Sequence, residues 1–133
     1  MTHSSDPATL VRTVLAAAYA GDLAALAPHP GMTALANALP KVFAAFPDFR
    51  AEYEQHIVAG DRVAIHWRLT GTHTGPFFGI APTGKAVRFQ NVAIARVEDG
   101  KIVQFNSEVG WLAVLLQLGV LPLPPAAAPI APV

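Results

Sequence analysis

The chain contains no cysteine, which excludes disulfides, thiolate nucleophiles and cysteine-ligated zinc. It also lacks an excess of charge. Nine lysines and arginines balance nine aspartates and glutamates over 133 residues, so no long-range field draws in nucleic acid or an anionic membrane surface. A small, uncharged or weakly charged hydrophobic ligand is the favoured partner. Long apolar runs are missing as well: the most hydrophobic stretch, Trp111 to Leu121, is too short to cross a bilayer and runs into Pro122, Pro124 and Pro125. It reads as a docked helix, with no membrane partner. The N-terminal MTHSSDPATL has no basic segment followed by an apolar one, and the apolar run from Leu10 to Ala20 is interrupted by Arg12 and ended by Gly21-Asp22. No secretory leader is expected, and a cytoplasmic location follows. The length suits one core and one domain over residues 1–121, with 122–133 as a proline-rich tail.

What is present falls into two regimes. Ser5 and Asp6 are N-cap residues, Pro7 suits a first helical turn, and Leu10, Val11, Val14, Leu15 and Ala18 recur at helical spacing until Gly21. A second helix is predicted after Pro30-Gly31, with Leu35, Leu39, Val42, Phe43 and Phe46 on one stripe; Pro40 within it predicts a kink or a break. After Asp48 the period changes to two, in FRAEYEQHIV, RVAIHWRLTG, AVRFQNVAIARV and KIVQFNSEV. Helices followed by strands, with a last short helix, indicate an α+β layer architecture.

The turn in ARVEDGKIV carries Gly100, and a three-residue loop there pairs Val97 with Lys101. Counting back puts Ala95 opposite Val103, Ala93 opposite Phe105, Asn91 opposite Ser107 and Phe89 opposite Val109, all on one face. Ile102, Gln104, Asn106 and Glu108 then belong to the other face. The first, more apolar face should lie under the helices. Small Ala93 and Ala95 beside Phe89 and Phe105 leave room for a ligand pocket there, and a packed core fits the same residues. In the neighbouring strands Val63, Ile65, Trp67 and Leu69 are expected to point inward, together with Phe49, Ala51, Tyr53, Gln55 and Ile57. His56 and His66 are expected to point outward.

Motifs for other chemistries are weak. The histidines at 3, 29, 56, 66 and 73 show no metal-ligand spacing, so no metal is expected. No GxSxG elbow exists, and the glycines of GTHTGPFFGIAPTGK, residues 71 to 85, connect strands instead of entering a helix. His73 in that loop is a candidate acid or base at a pocket rim, or a turn-stabilising residue.

The run GDRVAIHWRLTGTHTGPFFGIAPTGKAVRFQNVAIARVEDGKIVQF, followed by LLQLG, resembles the SnoaL-like polyketide cyclases. YAGDLAAL and AAFPD fit the same pattern. The resemblance implies a nuclear-transport-factor-2-like fold, a cone-shaped curved antiparallel sheet wrapped around N-terminal helices with a short C-terminal helix. It also implies a homodimer or homotetramer, no cofactor, an enclosed apolar cavity, and isomerase- or lyase-type ring closure in which an aspartate assists enolisation and an aldol step.

Two departures modify that expectation. Family members commonly read H-W-D where this chain has Phe105, Asn106 and Ser107, so the carboxylate is missing and Glu108 lies one residue late. The segment between Asp22 and Pro40 is shorter than usual, which implies a more open cavity or one completed by a partner chain. His29-Pro30 resembles the histidine or aspartate that precedes proline near the mouth of this fold. The candidate catalytic residues are therefore His29, His73 and Ser107. Tyr53, Gln55, Trp67, Phe89, Asn91, Ala93 and Phe105 are candidates for substrate binding. Two alternatives to catalysis stay open, a carrier of hydrophobic ligands and an interaction module.

Overall fold

In the computed structural model, which describes residues 6–121, helix α1 spans Pro7–Tyr19. Asp6 caps it by accepting the Thr9 N–H at 3.0 Å, one of the donors a helix start leaves unpaired. Two 3₁₀ turns, Leu23–Leu26 and Pro30–Met32, lead into α2, Thr33–Ala45. Pro40 lies inside α2, and the expected break into two pieces does not occur. Its position is exposed, where water can stand in for the missing donor. The expected tail 122–133 lies outside the described residues.

Four antiparallel strands follow in the spatial order β1-β2-β3-β4: Arg50–Ala59, Arg62–Thr72, Ala86–Glu98 and Lys101–Val109. Helix α3, Trp111–Leu118, ends on Gly119 at φ +80, a left-handed cap that glycine adopts without a Cβ clash. The Gln117 side chain accepts the Arg88 N–H and donates to the Arg88 carbonyl, which docks α3 on β3. The inner sheet face, with Val63, Ile65, Trp67, Leu69, Phe89 and Ala93, packs against Val11, Leu15 and Ala18 of α1 and Leu39 and Val42 of α2. Removing these side chains from water stabilises the fold by about 1.5–3 kcal/mol for each large one.

Two bulges correct the expected register. The β3–β4 turn has two residues, with Glu98 opposite Lys101 and Asp99 and Gly100 at φ +52 and +74. Both left-handed centres match the twist of a hairpin. The register then shifts so that Arg96 meets Gln104, leaving Val103 as the extra residue. Ala95 therefore meets Phe105, Ala93 meets Ser107 and Asn91 meets Val109. This differs from the expected pairs by two residues, a displacement that keeps each side chain on its face. The two residues ahead of the bulge are the exceptions: Ile102, expected outward, is fully buried, and Lys101, expected inward beside Val97, is exposed opposite Glu98.

In β1 the register shifts between Tyr53 and Gln55, after which Gln55 meets His66, His56 meets Ile65 and Ile57 meets Ala64. Glu54 is the extra residue, and it exchanges the faces of everything beyond it. Gln55 and Ile57 thus join the outer face and His56 the inner one, the reverse of the sequence expectation.

The 73–85 loop is tied to α2. The Thr74 and Gly75 N–H groups donate to the Ala45 carbonyl at 3.1 and 3.0 Å. They occupy an acceptor that the helix C-terminus leaves free.

Candidate active-site cleft

Between α2, the sheet and α3 lies a cleft of about 430 Å³. Leu35, Leu39 and Val42, one stripe of α2, form its helical wall. Phe89, Asn91, Phe105 and Ser107 form its floor on β3 and β4, and Trp111 closes one end. The stripe exists because i, i+4 and i+7 positions share a helix face, and the floor because alternate strand residues share a sheet face.

The polar groups of the cleft are few. Asn91 is buried, and its Nδ2 donates to the Tyr19 phenol oxygen at 3.3 Å. Its Oδ1 is buried without a partner. Burial pushes the Tyr19 phenol well above its ordinary pKa, because desolvation penalises the phenolate. The Tyr19 ring meets the Trp67 ring edge-on at 5.2 Å and the Phe49 ring at 6.0 Å. Ser107 is half-buried opposite Ala93. Glu108 touches the rim of the cleft but stands opposite Val92, on the exposed outer face.

The sequence candidates divide accordingly. Phe89, Asn91, Phe105 and Ser107 meet in the cleft. Ala93 is buried beside Ser107 in the ladder and does not line the cleft. Trp67 lies behind Tyr19, its indole N–H buried without a hydrogen-bond partner. Tyr53 faces α1: the Arg12 guanidinium lies 3.7 Å above its ring, and its hydroxyl bonds His56. Gln55 is turned outward and bonds His66.

Neither candidate histidine reaches the cleft. His29 is buried, and its Nδ1 accepts the Ile102 N–H at 3.0 Å. Burial, reinforced by the nearby Lys101 cation, lowers its pKa. His73 is fully buried in its loop; its Nδ1 accepts the Thr83 N–H at 3.2 Å and lies 3.0 Å from the Thr83 hydroxyl. Its ring also packs, tilted by 41°, with its centroid 5.7 Å from that of Phe46. This is the turn-stabilising placement.

Sequence reasoning missed Tyr19, the α2 stripe and Trp111 as cleft residues. Tyr19 follows Leu15 by four residues, so the helical period that marks the apolar face of α1 includes it. Among the described residues, no three His, Asp or Glu side chains cluster as a metal ion would require. Nor is any described helix long and apolar enough to span a bilayer.

A curved antiparallel sheet folded over helices, with an apolar cleft between them, defines the cone-shaped nuclear-transport-factor-2-like class. The chain belongs to the SnoaL-like polyketide cyclase family, whose profile matches residues 2–118. It is similar to the structure of AclR from Streptomyces galilaeus, provisionally called a hydroxylase, at 28% identity and a TM-score of 0.80, over 91% of this chain and 85% of that one. IdmH from Streptomyces antibioticus, provisionally called a polyketide cyclase, is 25% identical with a TM-score of 0.75, over 86% of this chain and 99% of its own. TsrD from Streptomyces laurentii shares the fold at 22% identity and a TM-score of 0.79, over 90% of this chain and all of its own. No curated protein matches the chain.

Proposed function

We propose that the cleft binds a hydrophobic, polyketide-like substrate and promotes its aldol-type ring closure or isomerisation without a cofactor and without a carboxylate of its own. The observation that carries this reading is that Asn91, Tyr19 and Ser107, the hydrogen-bonding side chains on the inner face of the cleft, are all neutral, while the one carboxylate at its rim, Glu108, belongs to the outer face opposite Val92. A positioned general base typically supplies 10²–10⁴-fold, and Ser107, where the family commonly has aspartate, is no base at neutral pH. The remaining contribution is orientation: an apolar cleft that holds a reactive chain near its closed shape removes much of the entropic barrier. His29 and His73 serve the fold in this reading.

The test is turnover of an aromatic polyketide methyl ester as a function of pH. A reaction without an enzymatic base follows hydroxide concentration with no plateau. A plateau in the carboxylate or histidine range, abolished by one substitution, would replace the proposal with a conventional base. The same neutrality favours a second reading, a carrier of hydrophobic ligands. Saturable binding in the cleft with no turnover at any pH would select it.

The reading includes a homodimer in the cytoplasm. Support for the dimer comes from the outer sheet face, where Ile57 and Ile94 are 70% and 51% exposed and flank Ala64 in one cross-strand row. Isolated exposed apolar residues are ordinary, but a contiguous row on an open sheet is a surface that association would cover.

A further inference from the structure

At the floor of the cleft a donor and an acceptor stand side by side without protein partners. Asn91 and Tyr19 are 3% and 5% exposed, and both line the cleft. Because Asn91 Nδ2 donates to the Tyr19 oxygen at 3.3 Å, the phenol hydrogen is free to point elsewhere, and no acceptor for it occurs among the described residues. Asn91 Oδ1 is likewise buried and unpartnered. Buried polar groups are nearly always paired, and an exception in a cavity wall calls for an explanation.

We propose that Tyr19 and Asn91 form a subsite for one neutral hydroxyl group, phenolic or enolic, carried on a planar apolar ring. The inference rests on the cleft being the ligand site and adds the chemistry that the site selects. Tyr19 donates its O–H to the ligand oxygen, and the ligand O–H donates to Asn91 Oδ1. Among the oxygen groups a ligand can carry, a hydroxyl is the one that does what a bound water would do there, accepting from the phenol and donating to Oδ1 at once. A ketone or ether accepts from Tyr19 but sets a lone pair against Asn91 Oδ1. A carboxylate or enolate adds a desolvated charge to a pocket with no cation, again beside Oδ1. Burial keeps the Tyr19 phenol protonated, and its ring is fixed by Trp67 on one side and Phe49 on another. Trp111 and Phe89, with ring centroids 5.2 Å apart, supply an aromatic wall against which a flat ring fits.

Specificity of this kind is large, because a site built to hydrogen-bond a hydroxyl leaves its own buried groups unpaired when an analogue lacks it. The test is fluorescence titration of the full chain with 2-naphthol, 2-methoxynaphthalene and 2-naphthoate. The expected result is 2-naphthol bound at least ten-fold more tightly than its methyl ether and than the carboxylate, with the preference over the ether lost in both Tyr19→Phe and Asn91→Leu. Its affinity should fall as the ligand ionises. Equal affinity of the parent for 2-naphthol and its ether would overturn the hydroxyl subsite without any variant being needed. Leu35→Trp, on the cleft wall, separates the two levels of inference. If it leaves binding of all three probes unchanged, the ligand site is elsewhere and both readings fail. If it abolishes binding while the parent shows no hydroxyl preference, only the subsite fails. Binding of none of the three by the parent overturns both.

Discussion

Nδ1 of His29 accepts the backbone N–H of Ile102 at 3.0 Å, tying the turn before α2 to the free edge of β4 one residue ahead of its bulge. An edge strand leaves such donors unpaired unless something covers them. Gly31, two residues on, lies so close that a Cβ there would meet the Gln104 nitrogen at 2.6 Å. His29→Ala should cost about 1–3 kcal/mol by leaving a buried donor unpaired. Urea unfolding measures that loss, and turnover of the folded variant should be unchanged.

The same residue predicts a pH dependence. Burial first, then Lys101, lowers the His29 pKa in the folded state from its ordinary 6.5. The unfolded chain therefore binds this proton more readily. Its contribution to stability is complete above pH 6.5 and is lost as pH falls through the lowered folded value. Comparing parent and His29→Gln by urea unfolding at pH 7.5 and pH 5 should show a smaller loss in the variant.

A Cβ on Gly75 would meet the Ala44 carbonyl oxygen at 2.0 Å, whereas one on Gly79, at φ +74, would meet nothing within 4 Å. Gly75→Ala must push the loop off α2 and should cost about 1–3 kcal/mol or more. Gly79→Ala meets only the left-handed backbone penalty, about 1–2 kcal/mol. Thermal melts of the two variants should rank in that order.

On the outer face, Ile57 and Ala64 of the row that ends in Ile94 join His66, Val92 and Glu108 around a groove of about 530 Å³. If this face joins two copies, light scattering at micromolar concentration should give twice the chain mass. Ile94→Lys should then return a folded monomer. A parent that stays monomeric contradicts the dimer.

Much of this was legible in the sequence. The cap at Asp6, the α+β order and the inward set Phe89, Asn91, Phe105 and Ser107 all follow from local periodicity and turn chemistry. The bulges did not, because an extra residue such as Glu54 or Val103 leaves the alternation of types on either side intact and shifts only its phase. Gln55 therefore looked like a floor residue, and Ile102 like a surface one. For β4 the misread turn and the unseen bulge together displaced the pairing by two residues, which is why Ser107 still fell on the cleft face. His29 and His73 illustrate a different limit: a histidine that accepts a backbone N–H and one that titrates in a cavity look alike in sequence, and only the position of its partner separates them.

The central claim is that this cleft works without a carboxylate of its own, although Glu108 sits next to Ser107 in the chain. The most direct test assays parent, Ser107→Asp and Glu108→Gln for cyclisation of one aromatic polyketide ester at pH 7. The account predicts that Ser107→Asp raises turnover on the order of 10²–10⁴-fold, the typical contribution of a positioned base, and that Glu108→Gln matches the parent. Loss of the parent's activity in Glu108→Gln, with no gain in Ser107→Asp, would contradict it and make Glu108 the base.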